Sequence, residues 1–185
     1  VTQARLQPWE TVLIFGIGGG VSLAGLQIAK ALGARAIVTS RHADKLERAR
    51  ALGADHVIDA SRDDIAKAAL AATGGRGVDV VLENVGEAVW PAAMKSLVRG
   101  GRLVLCGATS GDQPGADLRR LFIRQLKVLG STMGTVLELH HLLAFCQRHG
   151  LRPVIGQSFA LDKVHAALDL LESGEQFGKI ALAID

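Results

Sequence analysis

The chain has no tyrosine, and its five phenylalanines and two tryptophans bring aromatic content to only 4% of 185 residues. A base-binding surface needs aromatic platforms beside a basic stripe. Here Arg35, Lys45, Arg62, Arg102, Arg124 and Lys163 are scattered among carboxylates, so nucleic-acid binding is not expected despite a net charge of +3. Cysteine is nearly absent: Cys106 and Cys146 form no CxxC pair, which excludes a disulfide scaffold. No apolar run reaches the roughly 18 residues of a membrane span. The opening Val-Thr-Gln-Ala-Arg-Leu-Gln-Pro has no basic-then-apolar signal organisation. Nor does any charge block extend beyond a few positions, which excludes a disordered tail. These absences lead to the expectation of a soluble cytoplasmic protein. The missing initiator methionine adds the expectation that the chain is a piece of a longer one.

What the chain does have is glycine, 22 residues of it, and 49% hydrophobic residues. At this length a chain buries about 70% of its unfolded surface, enough for a full core. Short apolar runs alternate with helical patterns. Thr11–Phe15, Arg35–Thr39, His56–Ile58, Val78–Leu82, Gly101–Cys106 and Leu126–Ser131 read as strands. The spacing predicts helices over Gly20–Leu32, Ala43–Leu52, Asp63–Thr73, Glu87–Val98, Leu118–Gln125 and Val136–His149. Such alternation with short loops means parallel strands joined by right-handed crossovers. The expected class is α/β: a doubly wound, Rossmann-type parallel sheet of about six strands with helices on both faces. Residues 1–150 make up this domain. Residues 151–185 read as a C-terminal segment, with an extended stretch, a helix over Lys163–Glu172 and a last strand over Lys179–Ile184. This segment either extends the sheet or belongs to another domain.

The first strand runs into Gly16-Ile-Gly-Gly-Gly-Val-Ser22 and then a helix. A glycine-rich turn at a helix N-terminus lets backbone amides meet a phosphate at the positive end of the helix dipole. Val21 occupies the third glycine position of a strict GxGxxG. In a turn one residue longer that place falls to Ser22, small enough for close packing of helix on strand. A purely structural turn is the alternative. Where strand two ends, a carboxylate would accept hydrogen bonds from the ribose of NAD. This chain has Ser40-Arg41, with Lys45 one helical turn on. A guanidinium holds a 2′-phosphate bidentately, and serine and lysine add donors. Otherwise these are solvated positions opening a charged helix.

Strand four ends in Glu83-Asn84-Val85-Gly86 and strand five in Cys106-Gly107. Loops beyond the carboxyl ends of strands flank the ligand. Asn84 therefore either bonds a ribose hydroxyl or caps the next helix. Cys106 reads as a small strand-end hydrophobe, having no base partner. The adjacent His140 and His141 diverge by about 100° on a helix and do not share a metal readily. The sequence contains no GxSxG, HExxH or GxxxxGK[ST], so neither catalytic nor metal-binding residues are assigned.

Several motifs together strongly resemble the medium-chain dehydrogenase/reductase superfamily. They are Gln7-Pro-Trp-Glu-Thr-Val-Leu13 leading into the glycine turn, Leu26-Gln-Ile-Ala-Lys-Ala-Leu-Gly33 and Lys45-Leu-Glu-Arg-Ala-Arg-Ala-Leu-Gly-Ala-Asp-His56. Gly75-Arg-Gly-Val-Asp-Val-Val81 and Leu171-Glu-Ser-Gly-Glu-Gln-Phe-Gly-Lys-Ile180 complete them. Gly100–Gly111 looks closest to the zinc-type alcohol dehydrogenase and quinone oxidoreductase branch. The resemblance implies an oxidoreductase moving hydride between NADP(H), preferred over NAD(H), and an alcohol, carbonyl, quinone or enoyl compound. It also implies a separate GroES-like catalytic domain that holds the substrate and any zinc, and to which the C-terminal segment returns. By the same resemblance Gly18, Gly19, Gly20, Val21 and Ser22 face the pyrophosphate and Ser40, Arg41 and Lys45 the 2′-phosphate. Asn84, Cys106 and Gly107 lie near the nicotinamide ribose. A homodimer through strand 126–131 follows too. Two other readings stand beside this one: a non-catalytic nucleotide-sensing or RNA-binding module, and an enoyl-reductase domain of a multidomain synthase.

Overall fold

The computed structural model describes residues 2–184. Six strands, β1 (Thr11–Ile14), β2 (Arg35–Ser40), β3 (His56–Asp59), β4 (Val78–Glu83), β5 (Leu97–Leu105) and β6 (Lys127–Gly130), form one sheet in the order β3-β2-β1-β4-β5-β6. All neighbours pair in parallel. The crossovers run through α1 (Gly20–Ala31), α2 (Ala43–Ala51), α3 (Ile65–Ala72), α4 (Trp90–Ser96) and α5 (Leu118–Ile123). The expected doubly wound sheet is therefore what the chain builds.

Strand alternation decides which residues feed which layer. In β1, Val12 and Ile14 point to one face, where they pack with Leu23, Leu26 and Ala29 of α1 and Leu46 of α2. Leu13 and the adjoining Phe15 point to the other, against Ala69 of α3 and Ala93 and Met94 of α4. Both faces of β1 are buried, which is why its sequence is apolar without a polar alternate.

The junction of α4 and β5 moves from its expected place. Helix α4 covers 90–96 rather than 87–98, and β5 begins at Leu97 rather than at 101. The cause is a register shift between Val78 and Val80: Leu97 already pairs with Val78, and regular pairing resumes at Arg102 opposite Val80. The long helix α6 (Val136–His149) starts at a capping box in which Thr135 and Glu138 exchange side-chain-to-backbone bonds, and it ends on Gly150 at φ 64°.

Beyond α6 the chain does not extend the main sheet. Strands β7 (Ile155–Ala160) and β8 (Lys179–Ala183) pair in parallel as a second, two-stranded sheet, with α7 (Val164–Ser173) between them. Among the described residues no helix is long and apolar enough to cross a membrane.

Candidate functional site

In the strand order 3-2-1-4-5-6 the chain reverses its direction of growth between β1 and β4, and the crevice beyond their carboxyl ends is where such sheets bind ligands. A cleft of about 560 Å³ opens there. Its floor is the glycine turn. Gly16 (φ 62°) and Gly18 (φ 131°) take backbone conformations that side chains disfavour, and these carry the chain sharply from β1 into α1. Ile17 donates its N–H to the Thr39 carbonyl at 2.8 Å, locking the turn to β2. No side chain caps the N-terminus of α1 at Gly19, and no acidic residue stands in its first turn. Its amides and dipole are thus left available to an anion.

Ser22 does not face the cleft as expected. Its side chain is buried, and its hydroxyl donates to the carbonyls of Gly16 (2.9 Å) and Gly19 (3.0 Å), which makes it an internal clamp of the turn. One turn later the helix packs against the sheet too tightly for a side chain. A Cβ on Gly25 would stand 2.5 Å from a Leu82 methyl.

The cleft gathers Gly18, Gly19, Ser40, Arg41 and Lys45 from the expected residues. Gly20, Val21, Asn84, Cys106 and Gly107 are not in its lining. Asn84 and Gly107 are pressed together, since a Cβ on Gly107 would lie 3.0 Å from the Asn84 carbonyl. The Cys106 thiol turns back to donate to the Glu83 carbonyl at 3.6 Å. Partial burial of the sulfur, together with the nearby Glu83 carboxylate, pushes that thiol's pKa up.

Ser40 and Arg41 stand at the end of β2 as the sequence places them. The Ser40 hydroxyl is buried and accepts the His42 N–H at 3.1 Å, while Arg41 is exposed at the cleft's edge. His42 lines the same corner. Lys45 is not a solvated position. It is 6% exposed and its ammonium bonds the Gly174 carbonyl. Burial lowers its pKa, and the charges of Asp44 and Glu175 oppose that shift.

Three contributors escaped sequence reasoning. Lys179 lays its stem over Gly20, within 2.9 Å of a Cβ position there. The only hint in the sequence is a cation directly after a glycine at the start of a strand. Ser110 joins the loops after β4 and β5: its N–H and hydroxyl both reach the Val85 carbonyl at 2.7 Å. Glu83 is fully buried at the end of β4, where one carboxylate oxygen accepts the N–H groups of Val85 (2.5 Å) and Gly86 (2.8 Å). The other oxygen has no partner. Burial raises the carboxyl's pKa, with the bonds from the Gly86 and Val85 amides opposing. A carboxylate directly after the apolar run Val80–Leu82 was the available signal.

Comparison with known proteins agrees with this fold. A family model described as zinc-binding dehydrogenase matches residues 20–148. The chain belongs to that family. Within the medium-chain superfamily it corresponds to the cofactor-binding portion. An acryloyl-coenzyme A reductase of Metallosphaera sedula is 30% identical over 97% of this chain and 52% of its own length. A zinc-type alcohol dehydrogenase-like protein of Schizosaccharomyces pombe is 32% identical over 98% of this chain and 54% of its own. The crystal structure of an NAD-dependent alcohol dehydrogenase superposes with a TM-score of 0.93 at 38% identity, covering all of this chain and 54% of that one. The chain thus spans about half the length of the relatives it matches. Among the described residues no group of three or more His, Cys, Asp or Glu could hold a metal ion.

Proposed function

We propose that this chain is the nucleotide-binding part of an oxidoreductase, holding NADP(H) in preference to NAD(H). Its nicotinamide exchanges hydride with an alcohol, carbonyl, quinone or enoyl substrate bound by a separate catalytic domain. The observation that carries the reading is the pairing of two features in one cleft. The side-chain-free Gly18-Gly19 turn meets the uncapped start of α1, and beside it Ser40, Arg41 and His42 stand at the end of β2 with no carboxylate. The turn takes the pyrophosphate, with Lys179 over Gly20 supplying a cation. Ser40 and Arg41 take the 2′-phosphate. The loops tied together by Ser110 receive the nicotinamide half. The protein's share of the chemistry is binding, orientation and electrostatics, while the cofactor carries the hydride. Zinc, where the whole protein uses it, belongs to the catalytic domain, to which residues 151–185 connect.

The two cofactors differ only in the 2′-phosphate, so preference must come from the Ser40–Arg41 corner. A charge-assisted bidentate contact contributes roughly 1.5–3 kcal/mol, about ten- to a hundred-fold in affinity. The exposure of Arg41 favours the lower figure. Isothermal titration of both cofactors against the unmodified chain and Arg41→Ala tests this. NADPH should bind more tightly and lose about tenfold on substitution, with NADH nearly unchanged. Tighter NADH binding by the unmodified chain would reject the preference.

The assembly we propose is a homodimer through strand 126–131. Strand β6 pairs only with β5, its outer edge is unpaired among the described residues, and Val128 is exposed on it.

A further inference from the structure

The C-terminal segment is fastened to the nucleotide cleft by the loop Gly174–Gly178, and both ends of that loop are tethered to groups that line it. At one end Gly178 donates its N–H to the Gly18 carbonyl at 2.7 Å. At the other, the Lys45 ammonium bonds the carbonyl of Gly174, the residue that closes α7 at φ 68°. Between them the buried Phe177 ring lies under the Arg48 guanidinium at 4.2 Å, and the Gln176 carbonyl comes within 3.6 Å of a Cβ position on Gly18.

An ammonium has three donors. Among the described residues Gly174 is the only acceptor of a hydrogen bond from Lys45, although the side chain is buried and its Nζ lies 3.5 Å from the same Cβ position on Gly18. Two donors therefore remain for a ligand oxygen on the glycine turn. The Gln176 side-chain oxygen, on the same loop, is buried with no hydrogen-bond partner among the described residues.

We propose that Lys45 is a positioning residue that shares its ammonium between the bound nucleotide and the Gly174 carbonyl, so that cofactor occupancy and docking of the C-terminal loop strengthen each other. This rests on the dinucleotide reading above and differs from the expectation drawn from the sequence: Lys45 serves the part common to NADH and NADPH rather than the 2′-phosphate. Linkage makes the coupling reciprocal. A nucleotide that immobilises the ammonium holds Gly174 down, and a docked loop presents the ammonium already oriented. Because the same loop leads into β8 and the C-terminal segment, occupancy of the cleft is carried to residues that touch no ligand.

Amide hydrogen exchange across residues 174–179, with and without saturating NADH or NADPH, tests the coupling. In the unmodified chain either cofactor should slow exchange of the Gly178 N–H by about tenfold or more, the size of one hydrogen bond to a charged group. In Lys45→Met the loop should exchange faster without cofactor and no longer respond to it. Both cofactors should then weaken by about the same factor, unlike the NADPH-selective loss expected of Arg41→Ala. Phe177→Leu loosens the loop from the opposite side, leaves the ammonium in place, and should also weaken both cofactors equally. Cofactor binding that leaves loop exchange unchanged would overturn the proposal. So would a Lys45→Met loss confined to NADPH, which would make Lys45 a direct 2′-phosphate ligand. If the unmodified chain gives no titration with either cofactor, the dinucleotide reading itself fails and the coupling falls with it.

Discussion

Replacing Glu83 should separate two things that its buried carboxyl does. One oxygen holds the Val85 and Gly86 amides, and the other has no partner. Glu83→Leu removes the acceptor and strands the buried Gly86 N–H and the part-buried Val85 N–H. At roughly 1–3 kcal/mol for each unsatisfied donor, less the relief of the orphaned oxygen, the loss is about 2–4 kcal/mol. For a chain of this size that is a drop in Tm of roughly 5–15 °C. Glu83→Gln keeps the accepting oxygen, so at low pH it should stay within about 1 kcal/mol of the parent. The two differ in how stability depends on pH. The folded carboxyl has its pKa raised by burial. Its contribution is thus fully present below the unfolded value of about 4.3 and is lost as pH rises through the folded value. Over that window the parent should fall relative to Glu83→Gln by up to about 1.4 kcal/mol per pH unit. Thermal or urea unfolding of the three proteins at pH steps from acid to neutral measures both effects. Identical pH slopes for parent and Glu83→Gln would refute the buried-acid account, as would a Glu83→Leu variant as stable as the parent.

Asp79 should behave in the opposite sense. Burial pushes its carboxyl up, but the Arg76 guanidinium and the Thr11 N–H more than offset this and hold it below the ordinary carboxylate range. Its contribution is therefore present above the unfolded value and lost as pH falls through the folded one; Asp79→Ala should cost about 2–4 kcal/mol at neutral pH, measured by urea unfolding. Light scattering at tens of micromolar should find a dimer that Val128→Lys converts to a monomer, and an unmodified chain that is monomeric at about 1 mM would dispose of the β6 edge as an interface. The cleft lining holds no carboxylate or thiol, so this chain by itself should turn over NADPH with a simple aldehyde or quinone at well under about 1 s⁻¹, followed by absorbance.

The sheet was readable because its signals are local. Val12–Phe15 is apolar throughout since both its faces are covered, and each of the first three crossover helices carries its own spacing and a glycine stop at Gly33, Gly53 or Gly74. Ser40 and Arg41 were readable for the same reason: the end of β2 lies where strand pairing with β1 puts it. Lys45 shows where that reach ends. Its stem and ammonium are directed by Gly174, which is 129 positions away in sequence and contacts it only because β8 returns past Gly18. Lys179 was obscure for the complementary reason, since its partner Gly20 lies at the other end of the chain. Ser22 looked like a packing residue because serine is small. Its hydroxyl instead finds two carbonyls that only the folded turn brings within reach. The boundary between α4 and β5 was blurred by a bulge, which shifts pairing by residues that carry no distinctive pattern.

The core is distributed unevenly along the chain, and this bears on how the molecule comes apart. Up to Val104 the buried apolar residues lie in the first five strands, their helices, the lead into β1 and the turns flanking β1 and β2 (Phe15, Ile17 and Ala34), whereas after it only Ala167 and Phe177 among the described apolar residues are buried. Helix α6 buries nothing, although Leu137, Leu139, Leu142 and Leu143 lie along it. Residues 2–105 should therefore form the cooperative unit whose opening is global unfolding, and the remainder, about two-fifths of the chain, a region of lower stability. Calorimetry of the chain in isolation should show a minor early transition from the C-terminal region before the main endotherm. A surface docked against α6 and β8 would merge the two into one, so that the stability of the C-terminal region would be set by what it binds rather than by what it buries.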